Sequence, residues 1–206
     1  PDATWGFVGV VVSTADLSAS VWRWYRDGSN WKVDKVITIP AEPADPADLP
    51  PALKRFGAVP PLVTDIDLSL DDKFLYVSCW GTGEMRQYDV TDPRKPKLAG
   101  SVHVGGMTRR TPHSNGRVFA GGPQMVEISR DGKRVYWTNS LYSTWDDQFY
   151  PDGVGSWLAK MDTDPVHGGL TLDEKCFPHG DAFRGLRVHQ VRLQGGDASS
   201  DSYCYR

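Results

Sequence analysis

His189 is the side chain whose type and setting most suggest chemistry. It stands before the alternating residues Val191 and Leu193, in a segment that reads as a strand from about Leu186 to Leu193, just ahead of Gly195-Gly196. An imidazole at a strand end can offer one ring nitrogen to a metal ion, and histidines from several strands can share one ion. A strand histidine that is merely hydrogen-bonded or solvated remains the other reading. His113, in Thr111-Pro-His-Ser-Asn115, reads first as a solvated loop residue. His103 alternates with Val102 and Val104 and is expected to be exposed on an outer strand. His167 and His179 fall in turn-like stretches and are expected at the surface. No catalytic acid, base or nucleophile can be nominated, because no nucleophile has an evident base nearby.

The other reactive types carry weaker signals. Asp65 either orients a metal-bound histidine or simply caps a turn. Asp197 and Asp201 flank a serine pair and could hold a hard cation, but two carboxylates without regular ligand spacing say little. Cys79, Cys176 and Cys204 are odd in number, far apart and form neither a CxxC pair nor a zinc pattern, so they read as simple thiols. Trp137, Tyr142, Trp145, Phe149 and Tyr150 form an aromatic cluster, either an apolar substrate pocket or packing between sheets. The glycines at 105–106 and 121–122 lack a strand-to-helix context, so a phosphate loop is unsupported.

The elements that must position these residues are short strands. Ile66 to Ser78 aligns with Val126 to Thr138 at an offset of 60, matching Ser69 with Ser129, Asp71 with Asp131, Lys73 with Lys133 and Tyr76 with Tyr136. Each unit is an apolar alternation, a Ser-x-Asp-x-Lys turn and a second strand, which is a hairpin signal. Strands are expected at 63–69, 73–80, 84–90, 97–104, 124–129, 133–139, 156–163 and 169–173. Earlier strands are expected over Phe7–Ser13, which reads as buried, and over Ser20–Tyr25 and Trp31–Ile39. Convincing helical periodicity is absent. Four antiparallel strands per unit make a propeller blade. The fold class is therefore all-β: residues 1–206 form one partial β-propeller domain with one partial blade, two full blades and a terminal piece. Long loops fall near 40–61, which is proline-rich with room for one helical turn over Leu49–Phe56, and near 105–122.

Composition closes several options. In 206 residues, 39% hydrophobic content and 8 tryptophans support a packed core. A net charge of -3, with no Lys/Arg run longer than two, gives no nucleic-acid groove. No apolar stretch approaches the roughly 20 residues of a membrane helix. The opening Pro1-Asp-Ala-Thr-Trp5 has no initiator methionine or signal peptide and reads as an interior cut.

Leu68-Ser-Leu-Asp-Asp-Lys-Phe-Leu-Tyr76, Arg86-Gln-Tyr-Asp-Val90, Ala120-Gly-Gly-Pro-Gln-Met125, Ser140-Leu-Tyr-Ser-Thr-Trp145 with Gln148-Phe-Tyr-Pro151, and His189 to Asp201 together resemble the selenium-binding protein / methanethiol oxidase family. The likeness runs from Phe7 to Asp201 and matches the C-terminal half of family chains about twice this length. Some relatives have cysteine where Ala198 stands, so a thiol role is not carried over there. The resemblance implies three to four blades of a seven-bladed propeller with a copper centre in its channel. It implies oxidation of methanethiol with O2 and water to formaldehyde, hydrogen sulfide and hydrogen peroxide. It makes His189 one copper ligand, with the others on the absent N-terminal half, which carries the family's histidine-rich segments. The alternative is a non-catalytic propeller binding selenium, another soft ligand or protein partners. The resemblance leaves the compartment open, periplasmic for a bacterial relative and cytosolic for an animal type.

Overall fold

The computed structural model describes residues 4–108 and 116–193. β1 (Trp5–Val10), β2 (Ala19–Asp27) and β3 (Asn30–Ile39) form a three-stranded sheet. β4 (Glu42–Pro43) and β5 (Ala58–Val59) pair within the proline-rich connection. β6 (Val63–Leu68), β7 (Phe74–Cys79), β8 (Glu84–Asp89) and β9 (Lys97–His103) form one four-stranded sheet. β10 (Val126–Ile128), β11 (Arg134–Thr138), β12 (Leu158–Thr163) and β13 (Leu170–Leu172) form another. Strands follow sequence order in the three- and four-stranded sheets, and all pairings are antiparallel. The architecture is an all-β propeller fragment, with the expected blades in place.

The repeated turn shows how sequence dictates the hairpin. Ser69 Oγ donates to Asp71 Oδ1 at 2.7 Å and accepts from Phe74 N at 3.0 Å. Ser129 repeats this with Asp131 at 2.6 Å and Arg134 N at 3.1 Å. The residue after each aspartate is left-handed: Asp72 at φ 57 and Gly132 at φ 67. Aspartate and glycine are among the residues that tolerate this region best.

Adjacent blades bury apolar faces against each other. Ala19, Val21, Ile37 and Ile39 of the first blade pack on Val63, Leu75, Val77 and Tyr88 of the second. Tyr76, Met85 and Val104 of the second pack with Val126, Ile128, Val135, Trp137 and Met161 of the third. Polar ties cross the same seams. Trp137 Nε1 donates to Ser78 Oγ at 2.7 Å. Gln87, fully buried, donates to Tyr76 OH and Thr163 Oγ1, both at 2.9 Å, and accepts from Gly169 N at 2.6 Å. β1, β6 and β10, the first strands of the three blades, lie side by side.

Four expectations need correction. β1 ends at Val10 and is half open, with Val8 and Val10 at 46% and 37% exposure. Its cross-strand partners show why: Phe7 and Gly9 share a face with Val21 and meet the second blade, whereas Val8 shares its face with Trp22 and has no blade against it. Residues 186–193 do not form a strand; Val188 makes one backbone bond, accepting from Ser140 N at 3.0 Å, and no ladder follows. A helix absent from the sequence reading, α1 (Ser143–Phe149), joins β11 to β12. Its one buried residue is Asp146, so no apolar stripe could reveal it. The connection at 40–61 is also less irregular than expected, with 3-10 turns at Pro46–Asp48 and Lys54–Phe56 besides the β4–β5 pair. It places Leu49 and Leu53 against Trp80, Met107 and Tyr150, forming a third apolar cluster. Among the described residues, no helix is long and apolar enough to cross a membrane.

Candidate functional site

The site around His189 is built by the segment that leaves β11. Asp146, completely buried on α1, accepts from Ser140 Oγ at 2.6 Å, Leu141 N at 3.0 Å and Arg187 Nη1 at 3.0 Å. Arg187 also donates from Nη2 to Asp147 Oδ1 at 2.6 Å. This carboxylate fixes Ser140–Leu141 on one side and the chain two residues before His189 on the other. Thr138 Oγ1 then donates to the His189 carbonyl at 2.6 Å.

The imidazole itself is exposed, with Nδ1 2.9 Å from the Ser140 carbonyl oxygen. A carbonyl can only accept, so Nδ1 carries the hydrogen, and in the neutral ring Nε2 keeps its lone pair. A backbone carbonyl holding one ring nitrogen while the other is free to bind is the usual second partner of a metal-bound histidine. His189, Ser140, Tyr142, Ser143 and Arg187 line an open recess of about 420 Å³. His189 could supply one imidazole ligand to a transition metal, a donor that suits zinc, copper, iron and nickel alike. Among the described residues, no group of three metal-ligating side chains includes His189.

The other candidates fall elsewhere. Asp65 Oδ2 accepts from Val126 N at 2.7 Å and Oδ1 from Ile66 N at 3.0 Å, so the carboxylate pins β6 to β10. His179 is part-buried beside Phe119 and fully engaged, donating from Nδ1 to the Phe177 carbonyl and meeting Arg117 Nη1 through Nε2 at 2.6 Å. It is therefore neither free nor simply solvated, contrary to expectation. His167 is exposed as expected, and its hydrogen bond holds the Asp164 carboxyl down at about 2, helped by the backbone N–H groups of His167 and Val166. His113, Asp197, Ala198, Asp201 and Cys204 lie outside the described residues.

The aromatic cluster divides. Tyr142, Trp145 and Phe149 run along α1 with ring centroids 6.1 and 5.6 Å apart, and Phe149 and Tyr150 meet Trp80 at 5.7 and 4.9 Å. Trp137 belongs instead to the seam between the second and third blades, 6.0 Å from Tyr76.

Sequence reasoning missed a second polar group. Cys79, Glu84 and His103 are cross-strand neighbours on β7, β8 and β9, and Glu42 of β4 approaches them. Glu42, Glu84 and His103 offer ligand atoms within 4.8 Å of one another, so His103 is half-buried rather than open. The Arg86 guanidinium donates to Glu84 from Nε at 2.7 Å and lies within 2.5 Å through Nη2. A cation there would face that fixed positive charge, which favours an ion-pair network over a metal site. The only signal in the sequence was the pairing of Cys79, Glu84 and His103 across strands, which needs the register. Burial pushes the Cys79 thiol up to about 12. Native Cys79 is therefore expected to resist iodoacetamide at pH 8 and to react only in urea, as peptide mapping would read; rapid native labelling would contradict its burial. Because its folded pKa is raised, its contribution to stability is complete below the unfolded value of about 8.5 and is lost as pH climbs towards 12.

Consecutive antiparallel blades, with the first strand of each against the next, define a β-propeller protein. The chain belongs to the 56kDa selenium binding protein (SBP56) family, whose profile matches residues 1–204. It is 41% identical over 227 aligned residues to methanethiol oxidase of Homo sapiens and 40% identical to selenium-binding protein 2 of Mus musculus, covering 98% of this chain in each case. It spans about half the length of these relatives, 45% of each. The X-ray structure of a hypothetical selenium-binding protein from Sulfolobus tokodaii matches 98% of this chain and 44% of that one, with a TM-score of 0.90 and 57% identity.

Proposed function

We propose that this chain is part of a copper-dependent methanethiol oxidase and that His189 supplies one copper ligand through Nε2. The observation that carries the reading is the Nδ1 contact to the Ser140 carbonyl, 2.9 Å long, which leaves Nε2 as the ring's free acceptor. The names of the relatives supply the substrate, methanethiol. The overall reaction takes CH3SH, O2 and H2O to formaldehyde, hydrogen sulfide and hydrogen peroxide, and it balances. Bound copper would supply thiolate binding and electron transfer to oxygen.

The chain's own residues have distinct tasks in this reading. Ser140 fixes the tautomer of His189. Asp146 holds Ser140. Arg187, neutralised by Asp146 and Asp147, keeps its positive charge from opposing a cation nearby. The remaining ligands come from the rest of a longer polypeptide, which is this chain's first partner.

The test is elemental analysis of the full-length protein, wild type beside His189→Ala, with formaldehyde and hydrogen sulfide release measured in parallel. About one copper per chain, sharply reduced in the variant, is the expected result. Copper retained by His189→Ala removes this residue from the site. Wild-type protein without copper after copper-replete growth moves the reading to a non-catalytic propeller that binds selenium or other soft ligands.

A further inference from the structure

The end of β11 grips the chain around His189 through three hydrogen bonds. The Ser140 N–H donates to the Val188 carbonyl at 3.0 Å. The Ser140 carbonyl accepts from His189 Nδ1 at 2.9 Å. The third bond comes from Thr138, the last residue of β11, which is fully buried. Its Oγ1 donates to the His189 carbonyl at 2.6 Å.

A hydroxyl accepts as well as donates, so this third bond reaches further than the other two. Thr138 Oγ1 also accepts the Met125 N–H, at a long 3.4 Å, and the Thr138 carbonyl accepts the Gln124 N–H at 2.7 Å. Gln124 and Met125 lead directly into β10, the first strand of its blade. Across the seam, Asp65 Oδ2 accepts the Val126 N–H at 2.7 Å and Thr64 Oγ1 donates to the Gln124 carbonyl at 3.3 Å. Hydrogen bonds therefore run from β6 through the entry to β10 and one buried hydroxyl to the backbone of His189. His189 itself lies in a segment with no strand ladder of its own.

We propose that Thr138 is a positioning residue for His189. Its hydroxyl fixes the histidine relative to the first strands of two blades, so that the imidazole keeps its place towards ligands carried by other blades. The consequence for copper rests on the oxidase reading; the hold on the ring does not.

The experiment compares full-length wild type with Thr138→Val, which keeps nearly the same shape without the hydroxyl, and Thr138→Ser, which keeps the hydroxyl without the methyl group. Tm, copper Kd and the His189 tautomer in the metal-free protein are measured, the last from the nitrogen NMR shifts of the ring. Thr138→Val is expected to weaken copper binding about tenfold, the scale of losses behind a metal-bound histidine. It is also expected to turn the single Nδ1–H form of His189 into a mixture of both tautomers. Thr138→Ser is expected to lower Tm, because deleting a buried methyl leaves a small cavity, yet to bind copper as wild type does and to keep the Nδ1–H form. That crossed pattern separates positioning from folding. A metal-free Thr138→Val protein with the pure Nδ1–H form overturns the proposal. So does copper affinity that falls in step with Tm in both variants, or a folded Thr138→Ser protein that loses the Nδ1–H form. Wild type that binds no copper and oxidises no methanethiol overturns the oxidase alone. Thr138 then stands or falls on the tautomer, which needs neither metal nor turnover.

Discussion

Asp146→Ala is expected to lower the unfolding free energy by about 3 kcal/mol, the low end for removing one partner of a buried ion pair. The low end applies because Arg187, the cation left behind, keeps 36% of its side chain exposed and water can take over. The loss also strips acceptors from the Ser140 hydroxyl and the Leu141 N–H. The effect should extend beyond stability. Ser140 presents the carbonyl that holds His189 Nδ1, so loosening Ser140 loosens the imidazole. If His189 holds copper as proposed, the copper affinity of the full-length protein should fall about tenfold, the scale on which disturbing the partner behind a metal-bound histidine acts. Urea unfolding and a copper titration, run on Asp146→Ala and on the nearly isosteric Asp146→Asn, separate the two effects. A stable variant would show that the other contacts of this segment suffice. Unchanged copper affinity in a destabilised variant would confine Asp146 to folding.

Gly122→Ala should be at least as damaging. A Cβ on Gly122 would fall 1.9 Å from the Trp80 carbonyl oxygen and 2.7 Å from its carbon, and both are backbone atoms. That carbonyl also accepts the Tyr150 hydroxyl, and the Trp80 side chain is wholly buried among Leu49, Leu53 and Met107. The backbone of one blade must retreat from the other, at a cost of about 3 kcal/mol or more, the upper range for overpacking. Thermal unfolding would show it as a clear drop in Tm. A wild-type Tm would mean that the approach of Gly122 to Trp80 is looser than described. Gly116→Ala is the control, since nothing lies within 4 Å of a Cβ there, although its φ of 78 adds local strain.

The fold was legible where a local rule repeats. The eight strands expected between 63 and 173 all form, with ends within two residues of their expected places, because alternation and the Ser-x-Asp-x-Lys turn act on neighbours in sequence. α1 was not legible, since its inward residue is a carboxylate and two turns give too short a period. The segment around His189 was misread as a strand because Val188, Val191 and Leu193 are apolar, yet only Val188 makes a backbone pairing with Ser140. His189 was nominated as a ligand from its position in the chain. Its Ser140 partner was not, because a bond across 49 residues has no trace in spacing. The same holds for Glu42, Glu84 and His103, which assemble from three strands.

One consequence of the Gln87 side chain concerns cooperativity. Repeat architectures are prone to fraying unit by unit, since each repeat touches only its neighbours. Gln87 joins β8 to Tyr76 within its own blade and to Thr163 and Gly169 in the next, spending both its amide nitrogen and its oxygen. If the third blade opened alone, it would leave that buried amide and the Tyr76 hydroxyl short of partners at once. The second and third blades should therefore exchange their slowest amide hydrogens with deuterium together, as a single unit, rather than in sequence from the end of the chain.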